Sequence, residues 1–187
     1  MAEALLITRK DVVKFTSVSG NLDTDTFIMR VKIAQDKHIE NYLGTDLLES
    51  IQAKIVAGTL TGDYQTLVND YVKPCLIHWT MVEMLPFSAY TIANKGVFKH
   101  NSENAENASK EEVDYLLEKE RNTAQYYTNR LIDYLSFNAP SKFPEYYTST
   151  NEDVHPDKDA SFEGWVLWNI KPKKITLRNL LGALKLK

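Results

Sequence analysis

The residues most able to do covalent or metal chemistry here are four histidines and one cysteine, and their spacing gives them little to work with. His38, His78, His100 and His155 are scattered, and none has a second ligand type at metal spacing on the same helix face. His38 falls on the apolar stripe of a predicted helix and reads as a packed, hydrogen-bonded side chain; His78, beside Trp79, reads the same way. Cys75, inside KPCLIHW, has no partner for an internal disulfide and reads as a small buried hydrophobe. NEDVHPDKDASFE gathers Asp153, Asp157, Asp159 and Glu163, but a calcium loop needs glycine at its sharp turn, where Phe162 stands. That cluster reads as a solvated acidic loop. GTLTGDYQT lacks the Gly-Lys-Ser/Thr of a phosphate loop, and no G-x-S-x-G, C-x-x-C or H-E-x-x-H is present. Glu111 and Glu112 stand where a helix begins, and the helix dipole accounts for them. Asn107-Ala108-Ser109 matches a glycosylation acceptor without a secretory context. The expectation is a protein that is not an enzyme, with no catalytic residue, metal or cofactor.

The elements around these residues are mostly helical. Thr8 caps a first helix ending at Phe15, with Val12, Val13 and Phe15 as its apolar side. Asp23 or Thr24 caps a second that runs to Tyr42, striped by Phe27, Val31, Ala34, His38 and Tyr42 and flanked by Ile28 and Ile39. Gly44 ends it, and Thr45 and Asp46 at once start a third, with Leu47, Leu48, Ile51 and Ile55 apolar and Gly58 as the stop. So short a turn makes the two pack as a pair. A long helical stretch over 63–94 carries Leu67, Val68, Tyr71, Cys75, Trp79, Val82 and Leu85 on its buried side. Pro74 and Pro86 predict a kink or break at each. Residues 76–92 are the most apolar of the chain and predict a central helix covered on most sides. GVFKH suits a short strand and NSENAENAS a polar loop. Ser109 and Glu112 have capping-box spacing. The helix they open runs to Phe137 on a stripe of Val113, Leu116, Leu117, Ala124, Tyr127, Leu131 and Leu135, with Pro140 just beyond. The fold class is mainly α, a bundle of four to five helices over 1–138 with a short strand or β-like loop, followed by an extended C-terminal arm over 139–187.

Composition agrees with a folded protein: 43% hydrophobic and 25% charged, with net charge −3. That balance excludes a general nucleic-acid binder. Apolar runs are too short for a signal peptide or a membrane span, which suits cytoplasm or an assembled particle. The arm has prolines and no helical period, yet holds Phe143, Tyr146, Tyr147, Phe162, Trp165 and Trp168. Disordered tails seldom carry such aromatics, so the arm is expected to lie on its own bundle or on a neighbouring chain. Residues 171–187 contain Lys171, Lys173, Lys174, Arg178, Lys185 and Lys187 and no acid, interleaved with Leu177, Leu180, Leu181, Leu184 and Leu186. Residues 103–120 and 145–163 are strongly acidic. Basic and acidic stretches in one molecule can pair between copies. The expected protein-interface residues are Phe162, Trp165, Val166, Leu167, Trp168, Lys171, Lys173, Lys174, Arg178, Leu180, Leu181 and Leu184.

Several segments carry a resemblance: ITRKDVVKFTSVSGNLDTDTFI leading to IENYLGTDLLESI, then YVKPCLIHWTMVEMLPF with TIANKGVFKHNSENAENAS, then RLIDYLSFN. Over residues 5–138 the chain resembles the head-to-tail connector, or adaptor, proteins of tailed bacteriophages, closest in texture to those of crAss-like and other Bacteroidetes phages. The resemblance implies a structural neck-ring protein at the head–tail junction of a virion, made in host cytoplasm. It implies a closed ring of about twelve copies bound to the portal protein and to further neck or tail proteins. DNA would pass through the channel without sequence-specific binding, and no membrane is involved. The arm is longer than a minimal connector needs. An alternative is a helical nucleic-acid-binding or regulatory protein using the basic tail. Its support is weak, since Arg9, Lys10, Lys14, Arg30, Lys32 and Lys37 are mixed with acids.

Overall fold

The structure, a computed structural model, describes residues 4–18, 23–88, 90–93, 96–99, 109–148 and 153–157. It is a mainly α, bundle-like fold. Helix α1 (Arg9–Phe15) is opened by the capping box of Thr8 and Asp11: Asp11 N–H donates to Thr8 Oγ1 at 3.4 Å and Thr8 N–H to Asp11 Oδ2 at 2.8 Å. Of its expected apolar side only Val12 is buried, and Phe15 is 60% exposed.

One continuous helical rod comes next, made of α2 (Thr24–Ala34), a π turn (Gln35–Ile39) and α3 (Glu40–Leu43). Phe27, Val31 and Ala34 are buried as the stripe predicts, but the next buried positions are Gln35, Ile39 and Leu43. His38 and Tyr42 are only partly buried, and Ile28 is exposed. The π turn takes one extra residue per turn, so the inward face advances by one position beyond it. Buried Gln35 uses its amide to hold the N-terminal segment, accepting from Leu6 N–H at 3.0 Å and donating to the Ala4 carbonyl at 3.3 Å.

Gly44 alone separates this rod from α4 (Thr45–Val56). Its φ of 75° and ψ of 158° belong to a region open essentially only to glycine. The missing side chain has a second consequence, because a Cβ there would stand 2.7 Å from Pro156 Cγ.

The next rod joins α5 (Gly62–Thr66), a second π turn (Leu67–Val72) and α6 (Lys73–Ser88). It runs unbroken through Pro74. A proline ring collides with the carbonyl four residues back, here Asp70, and the widened π turn directly before it relieves that collision. Pro86 sits in the last turn, and the helix stops at Ser88 rather than at 94. Residues assigned to that helix from sequence instead form β1 (Tyr90–Ala93), antiparallel to β2 (Gly96–Lys99), with Ala93 opposite Gly96. Tyr90, Thr91 and Ile92 are the residue types that favour strands. The GVFK strand lies where the sequence placed it.

Ser109 and Glu112 form the expected capping box, opening α7 (Lys110–Lys142). This helix continues past Phe137 and carries Pro140 in its final turns. Cys75 and Trp79 meet Thr128 while His78 meets Glu120, so α6 and α7 run antiparallel. Helix α6 is the centre of the bundle, with Cys75, Leu76, Ile77, Trp79, Thr80, Met81, Val82 and Met84 all buried. The buried face of α7 is Ala124, Thr128, Leu131, Ile132, Leu135 and Ala139; Leu116, expected on that stripe, is 50% exposed.

Gly44→Ala is expected to lower unfolding free energy by about 2–3 kcal/mol, from backbone strain and displacement of Pro156. Adding Pro156→Ala removes the collision but not the strain, so a double-mutant cycle by denaturant melts should recover part of the loss. Strict additivity would show that the two residues do not meet.

Candidate interaction surface

The chain beyond α7 first folds back onto its own bundle. Phe143 and Tyr146 are buried, and the Phe143 and Tyr64 rings meet edge to face, at 5.1 Å and 76°. Between Phe143 and Tyr146, Glu145 accepts from Ser50 Oγ at 2.8 Å and from Tyr64 Oη at 2.7 Å, with Lys54 Nζ at 3.9 Å. Partial burial would raise the Glu145 carboxyl, but these hydrogen bonds outweigh it and hold the group below its ordinary range. Tyr64 is pushed up to about 12 by burial and by donating to that carboxylate. Lys142 Nζ pairs with Asp63 at 2.9 Å.

A second contact closes over the Gly44 turn. Thr45 N–H donates to the Val154 carbonyl at 3.1 Å, and Val154 N–H donates to Thr45 Oγ1 at 3.1 Å. Asp157 N–H donates to the Asn41 carbonyl at 2.7 Å, and Pro156 occupies the space that glycine leaves. Residues 143–148 and 153–157 are thus part of the bundle surface. Every interface residue expected from sequence, from Phe162 to Leu184, lies outside the described residues, as does His100. The residues that anchor the start of the arm were missed as a site. Their signal was the Phe143 and Tyr146 pair just past the last helix.

Among the described residues, His38, His78 and Cys75 are engaged in packing, and His155 is exposed. The His38 ring stacks on Trp79 at 3.9 Å and 7°, and its Nε2 lies 2.9 Å from Glu83 Oε1. Burial lowers the His38 pKa despite the pull of Glu83, so the neutral ring donates its Nε2–H. Burial raises the Glu83 carboxyl, but the Lys37 ammonium at 2.7 Å and the His38 N–H outweigh it and leave it lowered. Since His38 is neutral, Lys37 supplies the charge in this group. His78 Nδ1 meets Glu120 Oε2 at 2.7 Å, and its ring stacks on Tyr127 at 5.4 Å. Cys75 is fully buried, its Sγ 3.2 Å from Thr128 Oγ1, and burial pushes its thiol up to about 12. Such a thiol stays protonated and is no nucleophile at neutral pH. Asp153 and Asp157 are exposed, and among the described residues no three potential ligands stand together at a metal site.

What remains open is a groove between α1, α6 and α7. It has a volume of about 210 Å³; Phe15, Pro74, Ile77 and Tyr127 give it an apolar floor, and Asp11, Asn69, Lys73 and His78 a polar margin. Beside it, the Arg130 guanidinium is 5.8 Å from the Tyr127 ring centre, and Glu120 meets His78. From Glu120 the same edge of α7 continues one and two helical turns outward through Leu116 and Glu112.

These features define a class: a helical bundle whose residues 153–157 are clasped across the turn between two helices. A family model matches residues 39–156, more than half of the chain, and the chain belongs to that family, DUF6712, a family of unknown function. No curated protein and no solved structure matches. The matched segment contains both halves of the clasp, Gly44 and Pro156, and ends at Pro156. No helix among the described residues is long and apolar enough to cross a membrane.

Stability is expected to fall with acid in two stages. The unfolded chain takes up a proton on His38 near pH 6.5 that the buried ring resists, so stability drops below that pH, by at most about 1.4 kcal/mol per pH unit. Asp11, Glu83 and Glu145 have lowered pKa values, and their contribution is lost as pH falls below about 4. His38→Phe keeps the stack on Trp79 and should remove the difference between pH 7 and 5.5 that His38 makes, read by urea melts at each pH. An identical pH profile in the variant would contradict this.

Proposed function

We propose that this chain is a structural head-to-tail connector, or neck-ring, protein of a tailed bacteriophage, and not an enzyme. In this reading it works within the virion at the head–tail junction, after synthesis in host cytoplasm. It binds copies of itself in a ring of about twelve, the portal protein and further neck or tail proteins, around a channel that DNA passes through. The observation that carries the reading is the clasp. Hydrogen bonds from Thr45, Val154 and Asp157, with Pro156 over Gly44, fix residues 154–157 on the bundle, and thirty residues, 158–187, follow them in sequence. That segment can extend for up to about 100 Å, far beyond its own bundle, and it carries two of the three tryptophans and the basic, leucine-rich end. A rigid body with a fixed launching point for a long adhesive arm suits assembly better than turnover. The chain also resembles connectors in its order of helices, with a loop or small strand between the central and last helices.

Two measurements test the proposal. Trp165→Ala with Trp168→Ala should abolish higher assembly, by native mass measurement or particle imaging, while circular dichroism and melting stay unchanged. Deleting residues 170–187 should weaken docking to the portal, most strongly at low salt. Assembly by the double variant as by the parent, or retention of docking by the truncated chain, would count against the arm as the adhesive element. Retention of DNA on filters at moderate salt by the isolated protein would favour the nucleic-acid-binding alternative.

A further inference from the structure

We infer that the outer stripe of α7 is a two-fold contact surface, on which a second copy of this chain lays its own α7 antiparallel. The inference stands apart from the ring reading. A two-fold contact closes at two copies, so it is not the head-to-tail contact of a ring.

Three large aromatic side chains stand open on α7: Tyr115 is 58% exposed, Tyr126 60% and Phe137 85%. They recur every eleven residues, a spacing that returns a helix to the same face within about 20°. Lys119 and Asp133, both exposed, are each seven residues from Tyr126 and fall within about 20° of the same line. Ala124, Thr128, Leu131 and Leu135 make the buried face on the opposite side of the helix. The row of rings therefore faces directly away from the core, spread along about 33 Å of helix. Single exposed apolar side chains are ordinary, but an evenly spaced row of rings on the outermost face marks a contact surface.

Charge chooses the partner and its direction. Lys119 lies against the Tyr115 ring, its Nζ 5.3 Å from the ring centre. Neither Lys119 nor Asp133 has an ion-pair partner among the described residues. Turning α7 end over end about Tyr126 exchanges Tyr115 with Phe137 and Lys119 with Asp133, because each pair is evenly placed about that residue. Two copies related by this rotation set Tyr126 against Tyr126. Each Lys119 then meets the other copy's Asp133 about 10 Å from the centre, and each Tyr115 meets the other's Phe137 at about 16 Å. Over the rest of residues 111–141 the same pairing sets no two like charges opposite one another. A parallel arrangement would set Lys119 on Lys119 and Asp133 on Asp133, which repel. A seam one helix wide is at the small end of specific interfaces, so the pair exchanges with single subunits.

The test uses two full-length variants, Lys119→Glu and Asp133→Lys, without portal protein, with mass read by sedimentation equilibrium. The parent is expected to show a monomer–dimer equilibrium. Each variant alone sets like charges together twice in the seam, and its midpoint should rise about ten-fold or more. An equal mixture of the two should regain the parent's midpoint. Both substitutions are at exposed positions, so circular dichroism melts should stay unchanged. Direction is read from Tyr115→Cys mixed with Phe137→Cys under mild oxidation. A disulfide joining the two variants is expected, and neither variant alone should cross-link; the native Cys75 is buried and takes no part. A parent chain that stays monomeric up to about 1 mM overturns the seam. So do charge variants that pair as the parent does, or disulfides between like positions. Each of these failures leaves the ring reading standing, because assembly on the portal is measured separately.

Discussion

Helix α6 has more apolar surface than one neighbour can cover, and the rest of the bundle is arranged to bury it. Trp79 faces both His38 of the first rod and Thr128 of α7, while Ile77 and His78 face α1 and Tyr127. The polar groups inside this packing are satisfied locally: Thr128 accepts from the Trp79 indole and donates to the Ala124 carbonyl, and Thr80 donates to Leu76. A threonine in that position lets two helices approach closely without leaving the indole N–H unpaired, which in a dry core would cost about 1–3 kcal/mol.

The same constraint explains the two π turns. Each lies in a rod that must present its apolar side to the core along its full length. In the first, the extra residue turns Ile39 and Leu43 inward in place of His38 and Tyr42, leaving His38 at the rim to stack on Trp79 and bond Glu83. In the second, it absorbs the proline that opens α6. A helix with even spacing throughout would have turned His38 and Tyr42 inward, or broken at Pro74.

The clasp connects stability to the proposed assembly role. Glycine at position 44 permits a one-residue turn between helices, and the space above it receives Pro156. The inner part of the arm therefore contributes to the bundle, with Glu145, Phe143 and Tyr146 as its inward-facing groups.

Much of this was legible in the residues. Capping boxes at Thr8–Asp11 and Ser109–Glu112, the Gly44 turn, the GVFK strand, the buried nature of Cys75 and the central place of α6 come from local chemistry that acts within a few residues. The aromatic and basic character of the arm is likewise a property of sequence alone. Tertiary structure decided the rest. The π turns respond to packing across the core, so a stripe drawn at even spacing drifts off by one residue. The end of α6 at Ser88 reflects pairing between β1 and β2, which local helix preference does not contain. Docking of residues 153–157 over Gly44, and the groove between α1, α6 and α7, arise from segments more than a hundred residues apart or from antiparallel helices brought side by side. Contacts of that kind depend on distance in space, and spacing along the chain carries no record of them.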